Sequence, residues 1–494
     1  VPVYDGLEVD QIFDSISYLK GSSVIRMLSA HLGENVFLQG VANYLKAHKY
    51  SNATTNDLWK ALSEASGQDV TSFMDNWIRK IGFPVVTVAE EPGQISLRQQ
   101  RFLLSGDVKP EEDQTVWWIP LGLKTGSSAS TATVHKVNAL TQKQDTIKDV
   151  DQSFYQINKD LTGFYRTNYP PQRLAKLGEA RHELSVQDKI GLVGDAYANA
   201  VAGHGATPGL LALVENFQDE SEYLVWSQIL LNLGNIRSIF SATDDISEGL
   251  KKFQLKLITP AVEKVGWDFK EGEGFLKGQL RAALILSGGL NGHQATIDEA
   301  LRRFDLYMSG EDRSAVHPSL RTAIFSTAVK NRGESAFRAV QNEYLNTSSI
   351  DGKEICLRSM GRVQTPELAQ EFLSFIFSDK VAMQDKHSGT IVLASNAKVR
   401  IEVWKFIRDN WDTKVHPTLS GNLVVLERFL RFGLNKFADE KVADEIKAFF
   451  ANKDNRGYDK GLDVIDDTIR SMAKYRARDE KVVREWLASH GYTA

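Results

Sequence analysis

From Asp10 to Gly82 the apolar residues keep the three-and-four spacing of amphipathic helices. Ile25, Leu28 and Leu32 form one stripe, which Gly33 ends, and Phe37, Val41, Tyr44, Leu45 and His48 begin a second. Two shorter helices are expected over Thr55–Ser66 and Thr71–Ile81, each opened by a threonine and closed by a glycine at or just past its end. A segment of about 80 residues buries only about 60% of its unfolded surface when it stands alone. It is therefore expected to lean on other structure.

Beyond Gly82-Phe83-Pro84 the period drops to two. Val86 and Val88 alternate with polar residues, Glu91-Pro92-Gly93-Gln94 supplies turn chemistry, and Ile95, Leu97 and Gln99 resume the alternation, which predicts a hairpin. Further strand-like runs cover Val116–Leu123, Thr131–Val137, Phe154–Ile157 and Phe164–Tyr169. Short strands with regular turn signals predict a small β-sandwich over residues 84–170. After Pro170-Pro171 no alternation returns. Amphipathic helices follow one another to the carboxyl end, among them Ser221–Leu233, Ile246–Val265, Leu320–Val329, Lys398–Asn410 and Val442–Asn452. Ser185 with Asp188, and Thr207-Pro208, mark two of the starts. Residues 171–494 thus predict an α-solenoid-like array of the HEAT/armadillo kind, in which each helix pair buries its apolar face on the next.

The chain has 494 residues, a length that suggests about three domains at roughly 150 residues each. Lys plus Arg number 59 against 63 Asp plus Glu, a net charge of -4 with no block of like charge, so no nucleic-acid partner is expected. No apolar run approaches the roughly 20 residues of a membrane-spanning helix, and no transmembrane segment is expected. The one cysteine, Cys356, excludes an internal disulfide and points to a reducing, cytoplasmic location; it reads as a small buried hydrophobe. The opening Val1-Pro2-Val3-Tyr4 carries neither an initiator Met nor a signal segment, and the start reads as an internal cut.

Chemistry is sparse in the pattern. No two of the ten histidines lie four apart, and His182-Glu183 begins like H-E-x-x-H but has Val at position 186. Gly272, Gly274 and Gly278 miss the dinucleotide-binding spacing, and no G-x-S-x-G elbow occurs. Acidic pairs such as Asp244-Asp245 and Asp466-Asp467 read as solvated faces. Composition and spacing alone identify no complete active site.

Four segments add a resemblance. Phe13-Asp14-Ser15-Ile16-Ser17-Tyr18-Leu19-Lys20-Gly21, followed by Val24-Ile25-Arg26-Met27-Leu28, resembles the Tyr-x-Lys-Gly motif of zinc-dependent aminopeptidases of the aminopeptidase N and puromycin-sensitive type. Trp77-Ile78-Arg79-Lys80-Ile81-Gly82-Phe83-Pro84 resembles the Trp and Gly-x-Pro signature that closes the family's catalytic domain. Gly163-Phe164-Tyr165-Arg166-Thr167-Asn168-Tyr169 is similar to the end of its small β domain, and Val403–Trp411 to a run in its carboxyl-terminal helical domain. The likeness covers the chain and is greatest to fungal cytosolic members.

The resemblance implies a fold and a division of labour. Residues 1–83 would be the carboxyl-terminal helical part of a thermolysin-like catalytic domain, 84–170 the β-sandwich and 171–494 the helical superhelix. The family's H-E-x-x-H helix, its later Glu ligand and its Gly-x-Met-x-Asn segment have no counterpart here, so zinc ligands and general base are expected upstream of Val1. The chain alone is then expected to be inactive, and its implied partners are peptide substrates and an amino-terminal catalytic portion of the same protein. Tyr18 is the one implied catalytic residue. A phenol ordinarily ionises near about pH 10, so at neutral pH it can donate a hydrogen bond to a tetrahedral oxyanion without adding charge. Trp77 and Pro84 are expected to be structural, as core and as fixed turn, and Arg358 and Arg362 to lie on a solvated helix face. The alternative is a non-catalytic α-solenoid scaffold that binds peptides or proteins on a concave surface.

Overall fold

The computed structural model describes residues 4–126, 133–134 and 139–493. Contacts divide the chain into two compact units: Ile12–Val214, and residues up to 11 together with those from 215 onward.

In Ile12–Val214 the helical spacing produces α1 (Gly21–Leu32), α2 (Glu34–Ala47), α3 (Thr55–Ser66) and α4 (Val70–Ile78). Gly33, at φ +87°, separates the first two. α3 begins at Thr55 as expected, but its cap is the preceding Thr54, whose amide donates to the Asp57 carboxylate at 2.7 Å. α4 begins before the expected Thr71 because Asp69 is its cap, accepting from the amide and hydroxyl of Ser72 at 3.0 and 2.6 Å. It also ends three residues earlier than expected, at Ile78. The buried stripe of α1 is Val24, Met27, Leu28 and Leu32, with Ile25 only partly covered.

β1 (Pro84–Glu91) and β2 (Gln94–Arg101) form the expected hairpin, with Val86 opposite Gln99 and Val88 opposite Leu97. The other runs condense into short ladders: β3 (Ile119–Pro120), β4 (Lys124–Thr125), β5 (Thr133–Val134), β6 (Ala139–Leu140), β7 (Gln144–Lys148), β8 (Tyr155–Gln156) and β9 (Arg166–Asn168). The run expected over Thr131–Val137 falls outside the described residues except at 133–134. The ladders make sheets in the orders β7-β2-β1-β9, β3-β6 and β5-β4-β8, and β9 runs parallel to β1. Within Val116–Leu123, Trp117, Ile119, Leu121 and Leu123 are buried. The Gln99 side chain replaces a ladder there, donating to the Trp117 carbonyl at 2.9 Å and accepting its amide at 2.8 Å. α5 (Pro171–Glu179), α6 (Val186–Ala202) and α7 (Thr207–Val214) complete the unit. Ala198 and Ala202 of α6 pack with Val85, Phe102 and Phe83.

The second unit is helical throughout its described residues from 215 onward. α8 (Tyr223–Ile239), α9 (Asp244–Val265), α10 (Phe275–Asn291) and α11 (Gln294–Ser309) lead into α12 (Arg321–Arg332), α13 (Glu334–Asn346), α14 (Ile350–Met360) and α15 (Pro366–Ile376). Then come α16 (Lys386–Ser395), α17 (Arg400–Asn410), α18 (His416–Leu419), α19 (Leu423–Leu434), α20 (Glu440–Phe450) and the long α21 (Asp459–Ser489). α10, α12, α14, α16 and α19 pack each on the next, with α11, α13, α15 and α17 against them. α21 returns to the start of the series: Tyr475 packs edge-on to Phe240, Trp486 to Phe253, and Arg484 pairs with Asp245 at 2.7 Å. One apolar cluster runs through this unit from Ile285 to Ile469. No helix among the described residues is long and apolar enough to cross a membrane.

Candidate functional site

Tyr18 sits in a turn built by its own neighbours. The Asp14 carboxylate accepts from the Ser17 amide at 2.9 Å, the Ser17 hydroxyl donates to the Ile12 carbonyl at 2.6 Å, and the Tyr18 amide donates to the Asp14 carbonyl at 3.1 Å. Ile16–Lys20 thereby winds as a wide π-type turn that continues into α1.

Lys20 fastens this turn to a distant loop. Its Nζ donates to the carbonyls of Lys80 at 3.0 Å and Gly82 at 2.9 Å, and burial holds its pKa below the ordinary lysine value. Gly82 adopts φ +81°, and a Cβ there would come within 2.9 Å of Arg101 Nε, so glycine suits the position on both counts. The lysine of the first motif and the glycine of the second are thus one hydrogen-bonded device.

The third motif meets the second. The Trp77 ring is buried, 6.2 Å from Phe164, which lies 5.0 Å from Phe83. Tyr165 donates to the Leu121 carbonyl at 2.7 Å, and the Tyr169 oxygen accepts from the Ile157 amide at 2.9 Å. Asp195 of α6 holds Arg166 at 3.0 Å and the Thr167 amide at 2.8 Å. Burial pushes its carboxyl above the usual range, with Arg166 opposing.

The Tyr18 ring itself is 60% exposed, with Phe13, Ile16 and Leu19 exposed to a similar degree and the Phe13 ring 6.2 Å away. Two cavities in this unit are bounded by other residues. One of about 330 Å³ is lined by His31, Phe73, Asn76 and Trp118, and another of about 310 Å³ by Thr87, Asn168 and Asn199. His31 stacks on Phe73 at 5.2 Å, and burial lowers its pKa.

Among the described residues no three of His, Cys, Asp and Glu gather in a way that could hold a metal ion. His182 and Glu183 lie in the short turn Arg181–Glu183. The donor set among the described residues therefore does not fit zinc. Cys356 is buried in α14, and burial pushes its thiol up to about 12, away from nucleophilic use. Arg358 behaves as expected of a solvated face, pairing with Glu354 at 2.9 Å. Arg362 does not: it lies just past α14, its Nε is buried without a hydrogen-bond partner among the described residues, and burial pushes it down to about 10.

Sequence reasoning missed Lys20 as the residue that positions the turn. Its signal was present, two residues after Tyr18 in the same motif, but its acceptors lie about 60 positions away.

Comparison with known proteins adds the lineage. Residues 1–77 match the Peptidase family M1 domain and residues 154–471 the ERAP1-like C-terminal domain. The chain is 39% identical to Aminopeptidase 2 of Candida albicans, over 100% of this chain and 53% of that protein. It is 35% identical to Alanine/arginine aminopeptidase of Saccharomyces cerevisiae, over 100% of this chain and 57% of that protein. It is also 35% identical to Aminopeptidase 2, mitochondrial, of the same yeast, over 100% of this chain and 51% of that protein. The chain spans about half the length of the curated relatives it matches. Peptidases of this family are zinc-dependent in general. With both domain matches in sequence order and the three motifs joined in one unit, the chain belongs to the M1 aminopeptidase family and carries its ERAP1-like C-terminal domain.

Proposed function

We propose that this chain is the carboxyl-terminal part of a zinc metalloaminopeptidase that removes amino-terminal residues from peptides. The observation that carries the reading is the Tyr18 turn, whose backbone is fixed by Lys20 while its phenol stands exposed. In this reading the Tyr18 hydroxyl donates a hydrogen bond to the carbonyl oxygen of the substrate as that oxygen gains charge in the tetrahedral state. Lys20 acts through the backbone and touches no substrate.

Metal ligands and general base belong, in this proposal, to an amino-terminal portion of the same protein, and this chain without it is inactive. The exposed apolar side chains of Phe13, Ile16, Leu19 and Ile81 support a covering partner of that kind. The three-part organisation, a catalytic-domain remainder over 1–83, a β-sandwich over 84–170 and a helical superhelix over 171–494, is part of the same reading. A cytoplasmic location is supported by the single, buried, unpaired Cys356.

The test is reconstitution. The chain is mixed with its upstream portion and zinc, and release of an amino-terminal residue from a peptide is followed. Activity that disappears in Tyr18→Phe supports the reading; assembled protein that is inactive, or fully active in the variant, overturns it.

A further inference from the structure

The carboxyl-terminal ends of six helices in the second unit meet, and hydrogen bonds trace the meeting point. Arg237, at the end of α8, donates to Gln254 Oε1 at 3.1 Å and to the Asn291 side chain at the end of α10. Lys330, near the end of α12, donates to the Leu290 carbonyl. Arg400, the first residue of α17, donates to the Ser238 carbonyl at 3.4 Å and hydroxyl at 2.5 Å, in the last turn of α8, and to the Lys436 carbonyl at 2.6 Å, past the end of α19. Lys436 Nζ donates to Asn235 Oδ1 at 3.4 Å. Asn396, past α16, donates to the Val363 carbonyl at 2.7 Å, beside Arg362 past α14.

Part of this positive charge has a structural purpose. Helix carboxyl ends carry about −0.5 charge each, so six amount to about −3. Arg237, Lys330, Arg362, Arg400 and Lys436 bring five positive charges. The carboxylate that acts on Arg237, Glu248, lies 3.6 Å from Lys251, and these two offset each other. Arg400 stands at the positive amino end of α17, and Lys398 also acts on Lys330, so a surplus of roughly two positive charges or more remains after the helix ends are counted. The donors are also in surplus: the Nε atoms of Arg237, Arg362 and Arg400 are buried without a partner among the described residues. Burial and the neighbouring cations push Lys330 down to about 8, and burial pushes Arg400 down to about 10. Arg237, Lys330, Arg362 and Lys436 each keep part of their surface in contact with water.

We infer that the helical unit binds a small divalent oxyanion, of the phosphate or sulfate class, where the ends of α8, α10, α12, α14, α16 and α19 meet. Guanidinium forks match the oxygens of such an ion, and two negative charges match the surplus better than one. The ion links helices from both ends of the series, so its binding tightens the whole unit.

The test uses the full chain and reads binding, not peptidase activity. Inorganic phosphate, glycerol phosphate and acetate are titrated calorimetrically at matched ionic strength, with thermal midpoints recorded in phosphate and in chloride. Phosphate or its ester is expected to bind at least tenfold more tightly than acetate and to raise the midpoint where chloride does not; the tighter of the two identifies the source of the oxyanion. Arg362→Gln should weaken phosphate binding tenfold or more. Lys436→Gln, at a partly exposed position, should weaken it severalfold, and it decides the matter if Arg362→Gln does not fold. Equal binding of acetate, an equal rise in chloride, or unchanged phosphate binding in the folded variants would overturn the inference.

Discussion

Tyr18→Phe removes one oxygen from a side chain that is 60% exposed. Its thermal midpoint is expected to match the parent, because exposed substitutions of this kind stay within about 0.5 kcal/mol. Under the proposed function, turnover of the reconstituted protein should fall about 10²–10³-fold, the cost of losing one oxyanion donor. Lys20→Met, two positions on, is expected to lower stability. It leaves the Lys80 and Gly82 carbonyls without their charged donor, a loss of about 1.5–3 kcal/mol measurable by denaturant unfolding. Under the proposed function turnover should fall as well, with little change in KM, since there the lysine positions the turn without meeting substrate. A Lys20→Met variant as stable as the parent would show that the bonds to the α4–β1 loop do not hold the turn. Asp195→Ala should cost about 1–3 kcal/mol, because it leaves the Thr167 amide without its acceptor while Arg166 stays partly exposed to water.

Between elements, the close approaches are set by glycine. A Cβ on Gly389 of α16 would fall 2.5 Å from the buried Phe372 ring of α15, and one on Gly361 would fall 2.9 Å from the Gly389 carbonyl. Gly389→Ala should therefore cost about 1–3 kcal/mol by overpacking, read as a lowered thermal midpoint. The convergence of helix ends has a pH signature at Lys330. Burial and neighbouring cations push its folded pKa down to about 8 from the ordinary lysine value of 10.5, so between those values the unfolded chain holds more protons and stability rises with pH. Below pH 8 both states are protonated and the full penalty of burying the ammonium is present. Lys330→Met in chloride buffer is therefore expected to be more stable than the parent by about 2 kcal/mol at pH 7, net of the lost bond to the Leu290 carbonyl. The advantage should shrink as pH rises from 8 toward 10.5, and a constant difference across that range would exclude Lys330 as its source.

For the whole molecule, the apolar cluster from Ile285 to Ile469 lies entirely within the second unit, whose ends are tied by α21 against α8 and α9. Residues 215–494 expressed alone should give a helical circular dichroism spectrum and a cooperative melt; a molten, non-cooperative product would show that the unit depends on the remainder of the chain. Several features were legible along the sequence because they are decided within a few positions: the helical periods of α1 to α4, the Ser185 cap, the β1–β2 hairpin with its turn at Gly93, and the burial of Trp77 and Cys356. The motif around Tyr18 was legible in the same way, as a string. Other features were not. Gln99 standing in for a strand, Lys20 reaching the loop before β1, Arg362 turning from a surface into a junction of helix ends, and α21 returning to α8 all join residues far apart in the chain. Periodicity reports which face of an element is apolar, whereas a polar group's partner is chosen by whichever remote backbone is left unsatisfied when those faces pack. The sequence by itself determined the elements and the family's motifs; only the tertiary structure decided which carbonyls each buried cation meets, because that choice exists only once the helices have been brought end to end.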